Sequence, residues 1–550
     1  MKPESIILLI IIPLIGAVCC LVEKFTRRVR LAPLASIVTL LLCLGLLGWL
    51  YPLVVQQQQM RYTIGGWPAA IGINHVFDGL SWMGCSLIFV VSCAVLLFAL
   101  AEKRYEFTFY FFFLIMIAAM VGVLLAADLF NMFVFFEILG LSSYILIAYL
   151  QKRQALLACF KYLMLSSLGM TFFLLGIYIL YQHTGTLSLS ESSERLVQSA
   201  QTSSRSIFAM SALIAGISVR TAYIPFHVWL PEAHASAPHP VSAMLSGLVI
   251  KISFLSIWRL LDVFEMPAFR HLFVWVGAGT ALIAVFWALC QTDCKKLLAW
   301  HSISQMGYII TAFGAGHALA SVASLYHLIN HALFKSLLFL CIGSVIIITG
   351  ERNIKQLGSL GRHEPFLMVL FFVGAGSIMG LPPFNGFISK KLIQTSVKSF
   401  PLIASMLWLA GVGTMASFIK LSIIFRQNPY QAADVTPQPP AAACSRLSYL
   451  PLGFLASLCV LTGATPRFFR EQIAVLLFGH ELQGAFQLYS GINMLNTLIA
   501  LLLGAVVYYA IFSHAGHRFS TMIRQWRMSF QASLIWCILG FMLLAIYAGW

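Results

Sequence analysis

Charge is scarce in this chain. Only 9% of its 550 residues are Asp, Glu, Lys or Arg, whereas an ordinary soluble domain carries about 25%. Together with a hydrophobic fraction of 60%, this scarcity excludes a soluble globular protein. The chain also lacks the segments of about 10 residues with alternating polarity that build an outer-membrane barrel. Its apolar runs are continuous and long, so the sequence predicts an all-α polytopic membrane protein.

Several functional classes are missing their sequence signatures. The twelve cysteines are scattered, and neither Cys19-Cys20 nor the Cys290–Cys294 pair has the repeated spacing of a zinc or iron–sulfur site. The glycine pairs Gly277-x-Gly279 and Gly314-x-Gly316 lie in or beside apolar helices, without the strand–turn–helix context of a dinucleotide site. No metal and no cofactor is therefore predicted for this chain, and the cysteines are interpreted as small buried hydrophobes.

Acidic residues are rarer than basic ones, which gives a formal net charge of +16. No basic patch with interleaved aromatic residues stands on a soluble segment, so nucleic-acid binding is not predicted. The excess is interpreted as topological bias and as contact with anionic membrane lipid. The start of the chain has only Lys2 as a basic region and no A-x-A cleavage site, which favours a retained first helix.

About 14–16 transmembrane helices are expected by the criterion of roughly 20 apolar residues for each crossing. Sixteen candidate spans are centred near Leu14, Leu42, Phe89, Ala118, Leu139, Leu168, Ala215, Gly247, Ala284, Tyr308, Leu337, Gly374, Gly411, Ser457, Leu501 and Leu543. An even number places both termini on one side, and the basic loops then share the opposite face: Lys24, Arg27, Arg28, Arg30, Lys103, Arg104, Lys152, Arg153, Lys295, Lys296, Arg352, Lys355, Arg362, Arg426, Arg446, Arg518, Arg524 and Arg527. The positive-inside rule predicts that this face is cytoplasmic, with both termini on the non-cytoplasmic side of the inner (plasma) membrane.

Two spans are interrupted by prolines beside a basic residue, at Pro225–Pro240 and at Gly380–Lys390. Interrupted spans in corresponding positions indicate an internal repeat whose broken helices line the site, and five helices for each copy would make the copies inverted. The predicted division is an N-terminal helical segment, two five-helix repeats, a linker rich in proline and alanine, and C-terminal helices: 1–106, 107–260, 270–426, 427–447 and 448–550.

Intramembrane charges mark the candidate site. Asp128 begins the fifth span, where a helix N-cap is the favoured interpretation. Glu137 lies about 14 Å deeper at about 1.5 Å per residue, near the middle of the bilayer, and requires a basic partner inside the bundle. Arg220 is the natural partner. Lys251, in the next span, is again near mid-depth, where a buried lysine can lose its proton and act as a relay.

A histidine stripe follows in the eleventh span, where His327, His331 and Lys335 recur every four residues and so share one helix face. Proton transfer is the favoured interpretation, because histidine changes charge near neutral pH. Hydrogen-bonded core histidines are the structural alternative, and a metal site is disfavoured by the lysine one turn away. Lys390 could be the exit group, although it and Lys391 could also be a pair reaching towards the lipid headgroups. Accessory positions, each also open to a structural role, are His227, His234, His301 and Asp128.

Five strings carry a resemblance to a known family, and together they cover roughly 100–426: Asp128–Ala148, Pro225–Lys251, Asp293–Gly307, His327–Leu340 and Gly380–Lys390. They resemble the antiporter-like subunits shared by respiratory complex I, Mrp-type cation/proton antiporters and energy-converting membrane hydrogenases. The resemblance implies two inverted five-helix repeats and a lateral proton path. It also implies site roles for positions that match the family's motifs, namely Glu137, Arg220, Lys251, His327, His331, Lys335 and Lys390.

One position departs from the family pattern. Arg220 stands where the family has a lysine, and an arginine keeps its charge at any workable pH. The pair Glu137–Arg220 is therefore predicted to act as an electrostatic gate, with proton transfer beginning at Lys251.

Three functions remain open from the sequence. The first is a proton-translocating subunit, itself without catalytic chemistry, whose partner subunits carry out hydrogenase-type or NADH-dehydrogenase-type redox reactions. The second is a subunit of an Mrp-type antiporter without redox partners, with sodium as a further ion. The third is an energy-coupling module for inorganic-carbon uptake. Other membrane subunits, protons and membrane lipid are the expected partners in each case.

Overall fold

The computed structural model describes residues 3–26, 30–57, 59–198, 204–426, 446–482, 488–512, 521–523 and 529–549. Thirteen helices in these ranges are long and apolar enough to cross a membrane, so the chain is a polytopic membrane protein as predicted. The three other expected spans coincide with helices Ser204–Thr221, Cys294–Gly314 and Pro365–Met379. The first two are rich in serine and basic residues, and the third has only 15 residues.

The described elements follow one another in an almost entirely helical order: α1 (Leu8–Thr26), α2 (Leu31–Gln57), β1 (Gln59–Thr63), β2 (Asn74–Asp78), α3 (Gly79–Glu102), α4 (Phe107–Leu125), α5 (Leu129–Ala148), α6 (Arg153–Thr184), α7 (Leu189–Gln198), α8 (Ser204–Thr221), α9 (Leu230–Ser236), α10 (His239–Met244), α11 (Ile250–Phe264), α12 (Pro267–Cys290), α13 (Cys294–Gly314), α14 (Ala318–Thr349), α15 (Leu360–His363), α16 (Pro365–Met379), α17 (Asn385–Ser396), α18 (Pro401–Ser422), α19 (Tyr449–Ala464), α20 (Pro466–Phe478), α21 (Gly491–Phe512) and α22 (Phe530–Gly549).

The long helix α14 lies in the middle of the bundle. It packs against α3, α10, α13, α16, α17 and α19, and its side chains are buried all the way from Val322 to Leu328 and from Asn330 to Val345. A helix that is buried on every side must either be apolar all round or satisfy its polar groups internally. The polar residues of α14 therefore face other protein groups rather than lipid.

Both predicted interruptions are present. The helix α8 ends at Thr221, and the chain turns through 222–229 before α9 begins at Leu230. The helix α16 ends at Met379, and α17 begins at Asn385. Between α10 and α11, residues Leu245–Val249 form a π-helical turn that the sequence did not predict.

Matched backbone hydrogen bonds link corresponding parts of the two predicted repeats. In the first, Leu129 N donates to Leu187 O and Leu189 N donates to Ala127 O, each at 3.0 Å. In the second, Cys294 N donates to Arg352 O at 3.0 Å and Ile354 N donates to Thr292 O at 2.9 Å. The residue numbers differ by 165 at all four positions. The helices α6 and α14 have 32 residues each and start 165 residues apart.

These matched bonds lie at opposite ends of the bundle. The helix α4 starts next to Arg104 and ends at Leu125, just before Asp128. Asp293 instead neighbours Lys295, which lies within electrostatic reach of Glu102 at the Arg104 end. This geometry supports the predicted inversion of the repeats, while their boundaries at 107–260 and 270–426 stay predictions.

The basic face is partly assembled in the structure. Four of the basic residues predicted to share a face lie within electrostatic reach of His239, namely Arg104, Lys152, Lys295 and Arg352. We call this the basic end of the bundle. Its assignment to the cytoplasm stays a prediction. The predicted linker 427–447 falls almost wholly outside the described residues, which resume at 446.

A small hairpin between α2 and α3 was missed by the sequence analysis. Strands β1 and β2 pair antiparallel and are linked by residues 64–73, which begin with a turn at Gly65 and Gly66, both with positive φ. Adjacent glycines are a turn signal, but the strands were too short to stand out among the apolar spans.

Candidate functional site

Asp128 caps the N-terminus of α5, as expected. Its carboxylate accepts hydrogen bonds from Asn131 N at 2.7 Å and from Asn74 N at 3.0 Å. The second bond ties the hairpin to α5. The first bond satisfies a backbone donor at the start of α5, and the second satisfies one in β2. Asp128 therefore has a structural role, about 14 Å along the helix from Glu137.

The expected ion pair between Glu137 and Arg220 is present. Arg220 Nη2 donates to Glu137 Oε1 at 3.2 Å, and the guanidinium lies 5.6 Å from the ring of Phe136. The two partners are placed differently, because the Arg220 side chain is 1% exposed and the Glu137 side chain is 48% exposed. The arginine thus belongs to the interior, whereas the glutamate lies on the outer surface of this chain.

The packing makes space for the guanidinium. A Cβ atom placed on Gly140 would lie 2.8 Å from both Nη1 and Nη2 of Arg220, so only glycine fits there without displacing the charge. On the inner side, Tyr162 lies beside Arg220 and stacks on Trp229 with ring centroids 3.7 Å apart. Trp229 in turn approaches His234 at 5.9 Å. An aromatic layer therefore lies between the gate pair and the interior histidines.

Lys251 is fully buried and sits just after the π-helical turn. Its ammonium donates to the carbonyl oxygen of Ser246, the second residue of that turn. A π-helical turn leaves carbonyl groups outside the regular α-helical pattern, so the turn supplies an acceptor for a buried cation. The Ser246 hydroxyl also bonds to the Ser302 hydroxyl at 2.7 Å.

The stripe on α14 is buried and continuous. His327 is bonded through Nδ1 to the Ser389 hydroxyl at 2.9 Å and through Nε2 to Gln305 Oε1 at 3.1 Å. The rings of His327 and His331 are nearly parallel, with centroids 6.3 Å apart. Neither ring nitrogen of His331 has a hydrogen-bond partner within the described part of the chain. Lys335 Nζ donates to Leu298 O at 2.6 Å.

Lys390 is held inside the second interruption. Its Nζ donates at 2.6 Å to Ile378 O, in the last turn of α16, and lies 5.2 Å from the centre of the Tyr308 ring. Cations are favoured at a helix C-terminus, where carbonyl groups lack helical partners. Lys390 and Lys391 are both less than 10% exposed, so this structure does not support the alternative that the pair reaches towards the headgroups.

Several of these groups interact electrostatically with His331. Lys251, Lys335, His327 and Lys390 all lie within electrostatic reach of it. Lys251 also reaches His327 and Lys335. We call this set of five side chains the interior row: Lys251, His327, His331, Lys335 and Lys390. All five are buried in the same helical bundle, and Glu137 is not part of this set.

The accessory histidines differ from one another. His301 is fully buried, packs 5.1 Å from the Phe418 ring and lies within electrostatic reach of Lys335, Lys390 and Lys420. His234 is fully buried and lies within electrostatic reach of Lys251, Lys335 and Lys295. His227 is only partly buried, beside Trp300. The first two thus extend the interior row, and the third lies at its margin.

Sequence reasoning missed four polar groups around the row. Gln305 and Ser389 hold His327, as described above. Lys295 was interpreted only as a marker of topology, yet it is buried and donates to Ala237 O at 2.7 Å. Lys420 is buried and donates to Leu289 O at 2.7 Å and to Gln291 O at 2.5 Å. A lysine inside an apolar span is a signal in itself, and Lys420 could have been found that way.

Each member of the row can donate a proton when it is protonated and accept one when it is neutral, so the row can carry protons. Three lysines and two histidines share a buried region in which like charges repel strongly. They cannot all be charged together, so gaining a proton on one group favours losing a proton from its neighbour. Arg220 cannot take part in that exchange, since a guanidinium stays protonated.

Comparison with known proteins identifies the family of this chain. The family model described as "NADH:quinone oxidoreductase/Mrp antiporter, TM" matches residues 126–420, which include the whole interior row. The chain belongs to this family. A Na(+)/H(+) antiporter subunit from Alkalihalophilus pseudofirmus is 31% identical over 66% of this chain and 74% of that protein. An NADH-quinone oxidoreductase subunit from Desulforudis audaxviator is 31% identical over 83% of this chain and 93% of that protein.

Solved structures have the same fold. The Mrp complex from Dietzia sp. DQ12-45-1b contains a chain that superposes with a TM-score of 0.79, at 23% identity, over 91% of this chain and all of that one. The archaeal membrane-bound sulfane sulfur reductase contains a chain with the same TM-score at 25% identity, again over 91% of this chain and 100% of that one. These superpositions show that this chain has the fold of both chains.

Proposed function

We propose that this chain is a proton-translocating subunit of a multisubunit membrane complex. The observation that carries the proposal is the burial of three lysines and two histidines, the interior row, inside one helical bundle. Burying that many like charges is unfavourable unless their protonation changes. A row that exchanges protons has a use for such groups, whereas a purely structural core does not.

The gate follows from the permanent charge of Arg220. When Glu137 is ionised, it neutralises Arg220 across 3.2 Å. When Glu137 is protonated or drawn towards another charge, the guanidinium of Arg220 loses its partner. The electrostatic potential inside the bundle then becomes more positive. That change acts on the interior row across the Tyr162–Trp229 layer, without a proton passing through Arg220.

The exposure of Glu137 supports a neighbouring membrane subunit. Glu137 is the ninth residue of α5, and Lys161 is the ninth residue of α6, so both lie about 12 Å into the span at about 1.5 Å per residue. Lys161 pairs with Glu232 at 2.7 Å, and these side chains are 39% and 41% exposed. Charges at that depth are unfavourable against lipid tails. We infer that another subunit covers this face and biases the gate.

Two coupling schemes are consistent with the relatives. Redox chemistry in partner subunits could change the charge near Glu137. This scheme is supported by the similarity of the chain to a subunit of an NADH-quinone oxidoreductase. Cation exchange could do so instead, with sodium as the second ion, since a Na(+)/H(+) antiporter subunit is equally similar in identity. An energy-coupling role in inorganic-carbon uptake is the third scheme.

Purification of the intact complex distinguishes these schemes. Iron, flavin or nickel in the complex supports redox coupling, a set of small hydrophobic subunits alone supports ion exchange, and a soluble zinc protein supports carbon uptake. We propose that the chain lies in the plasma membrane, with its basic end on the cytoplasmic side and both termini on the opposite side. The chain is expected to contact anionic lipid.

The transport role is tested with Glu137→Gln in sealed vesicles that contain the complex. A pH jump across the membrane should drive proton movement in the parent complex, and the variant should move protons about tenfold more slowly or worse, because glutamine cannot change charge. Transport at the parent rate would contradict the gate, provided that assembly of the complex is unchanged.

A further inference from the structure

A polar cavity of about 110 Å³ lies beside the hairpin between α2 and α3. Both strands of the hairpin, residues 188–190 and the last part of α11 supply side chains to its wall. None of these side chains belongs to the interior row. Because a water molecule takes up about 30 Å³, the cavity has room for a small oxyanion such as phosphate.

The charged side chains in the wall are basic. Arg61 and Arg259 both line the cavity, and no acidic residue is among the described residues that do. Arg259 is buried and neutralised by Asp78, with two bonds of 3.1 Å. Arg61 is exposed and makes only long contacts, 3.5 Å to the Ser190 hydroxyl and 3.4 Å to Gln59 Oε1. Hydrogen bonds of that length are weak, so the guanidinium of Arg61 is available to an anion.

His75 adds a buried hydrogen-bond donor to the wall. It is 3% exposed, and burial lowers its pKa to about 4, so near pH 7 the ring is neutral and carries one N–H. Its Nε2 lies 3.4 Å from Asn131 Nδ2. An amide nitrogen only donates, which makes Nε2 the acceptor and places the hydrogen on Nδ1. That Nδ1 has no hydrogen-bond partner among the described residues. A buried donor without an acceptor is unfavourable, and an anion in the cavity would supply the acceptor.

Hydroxyl groups and the position of the cavity narrow the choice of anion. The hydroxyls of Ser188 and Ser190 lie 3.3 Å apart in the wall. Guanidinium, N–H and hydroxyl donors together are typical of sites that bind phosphate oxygens. The cavity lies where α3 and α5 begin, at the end of the bundle opposite the basic end. Lipid headgroups lie at the level of helix ends, so phosphate groups are abundant there.

We propose that this cavity binds a phosphate group, carried by a membrane lipid or by free phosphate, through Arg61, His75 and the two serine hydroxyls. Arg61 provides the ionic contact, and Nδ1–H of His75 and the hydroxyls donate to phosphate oxygens. No covalent bond is formed or broken. A ligand that binds only the folded hairpin stabilises it by mass action. The site lies outside the interior row, and the proposal goes beyond the transport function.

The test measures binding of two probes, inorganic phosphate and a short-chain phosphatidylglycerol, to the intact complex purified in detergent and stripped of bound lipid. Chloride at the same ionic strength is the reference. We expect at least one probe to bind and to slow hydrogen exchange within residues 59–78. Binding of the lipid alone identifies a headgroup site, and binding of phosphate alone identifies a site for the free anion. Binding of both shows that the phosphate group itself is recognised.

Arg61→Gln should weaken that binding about fivefold or more, because it removes the charged donor. Arg61→Lys should recover part of the loss, and both variants should fold because Arg61 is exposed. Arg205→Gln is the matched control, since Arg205 is an exposed arginine that is not part of the cavity wall.

Two results would overturn the site. One is that neither probe binds more tightly than chloride. The other is that Arg61→Gln binds both probes as well as the parent does. Proton transport plays no part in these measurements, so a failed phosphate site leaves the transport function untouched.

Discussion

Arg220 and Glu137 form an ion pair that connects the interior of the bundle to its outer surface. Their atoms are 3.2 Å apart, yet one side chain is 1% exposed and the other 48% exposed. A pair of this kind can be broken from outside, because a charge on a neighbouring subunit can compete for Glu137 without entering the bundle. The arginine then stays behind with its charge in place.

Replacing the arginine should therefore abolish the gate. Arg220→Ala leaves Glu137 without its partner, and proton transport should fall about tenfold or more, which corresponds to about 1.4 kcal/mol. Arg220→Lys keeps a positive charge and should retain most of the activity. The measurement is dye-monitored acidification of vesicles that contain the complex. Normal pumping by Arg220→Ala would show that the pair is not a gate.

The glycine beside the guanidinium provides a milder perturbation. Gly140→Ala would place a Cβ atom 2.8 Å from both terminal nitrogens of Arg220, so the charge must move. Transport should fall by a few-fold, less than in Arg220→Ala, since a shift of the charge by a fraction of an ångström changes the pair energy by less than its removal. Gly279→Ala is the control, because the Cβ position there has no side chain or other segment of the described chain within 4 Å. Equal rates for the two alanine variants would contradict the close fit around Arg220.

Acidification should loosen the hairpin between α2 and α3. Burial lowers the pKa of His75 to about 4, whereas an unfolded histidine titrates near about 6.5. The unfolded segment then binds more protons between these values, so its folded form loses stability as the pH falls from about 6.5 to about 4. Hydrogen exchange of residues 59–78 should accelerate over that range, after correction for intrinsic rates. A His75→Asn variant should show a much weaker pH dependence, and an unchanged dependence would assign the effect to another group.

Asp128 should matter for stability more than for transport. Asp128→Ala removes the acceptor of two backbone N–H groups, one in α5 and one in β2. Loss of an N-cap costs about 0.5–2 kcal/mol, so the Tm of the detergent-solubilised complex should fall while the transport rate per assembled complex is kept. A rate reduced as strongly as in Glu137→Gln would instead place Asp128 in the proton path.

Much of the site could be predicted from the sequence because its charges stand out against apolar helices. The spacing of four residues placed His327, His331 and Lys335 on one face, and the structure buries that face. The pairing of Glu137 with Arg220 was expected from their depth. In each case the prediction depended on helical geometry and on the cost of an unpaired charge in hydrocarbon.

Other features depend on packing between distant segments, which local patterns do not show. The exposure of Glu137 depends on which other helices pack against α5. The aromatic layer of Tyr162 and Trp229 joins α6 to the turn before α9. The role of Lys295 depends on its reach to Ala237, 58 residues earlier. The π-helical turn before Lys251 had no proline or glycine pattern that distinguished it from a regular helix.

The most direct test of the account is proton transport by the complex with Lys251→Ala in sealed vesicles after a pH jump. Lys398→Ala, at an exposed lysine outside the interior row, is the control and should transport at the parent rate. The account predicts that Lys251→Ala slows proton movement at least about tenfold in a correctly assembled complex, because it interrupts the row next to His331. Transport at the parent rate in Lys251→Ala would contradict a proton path through the interior row.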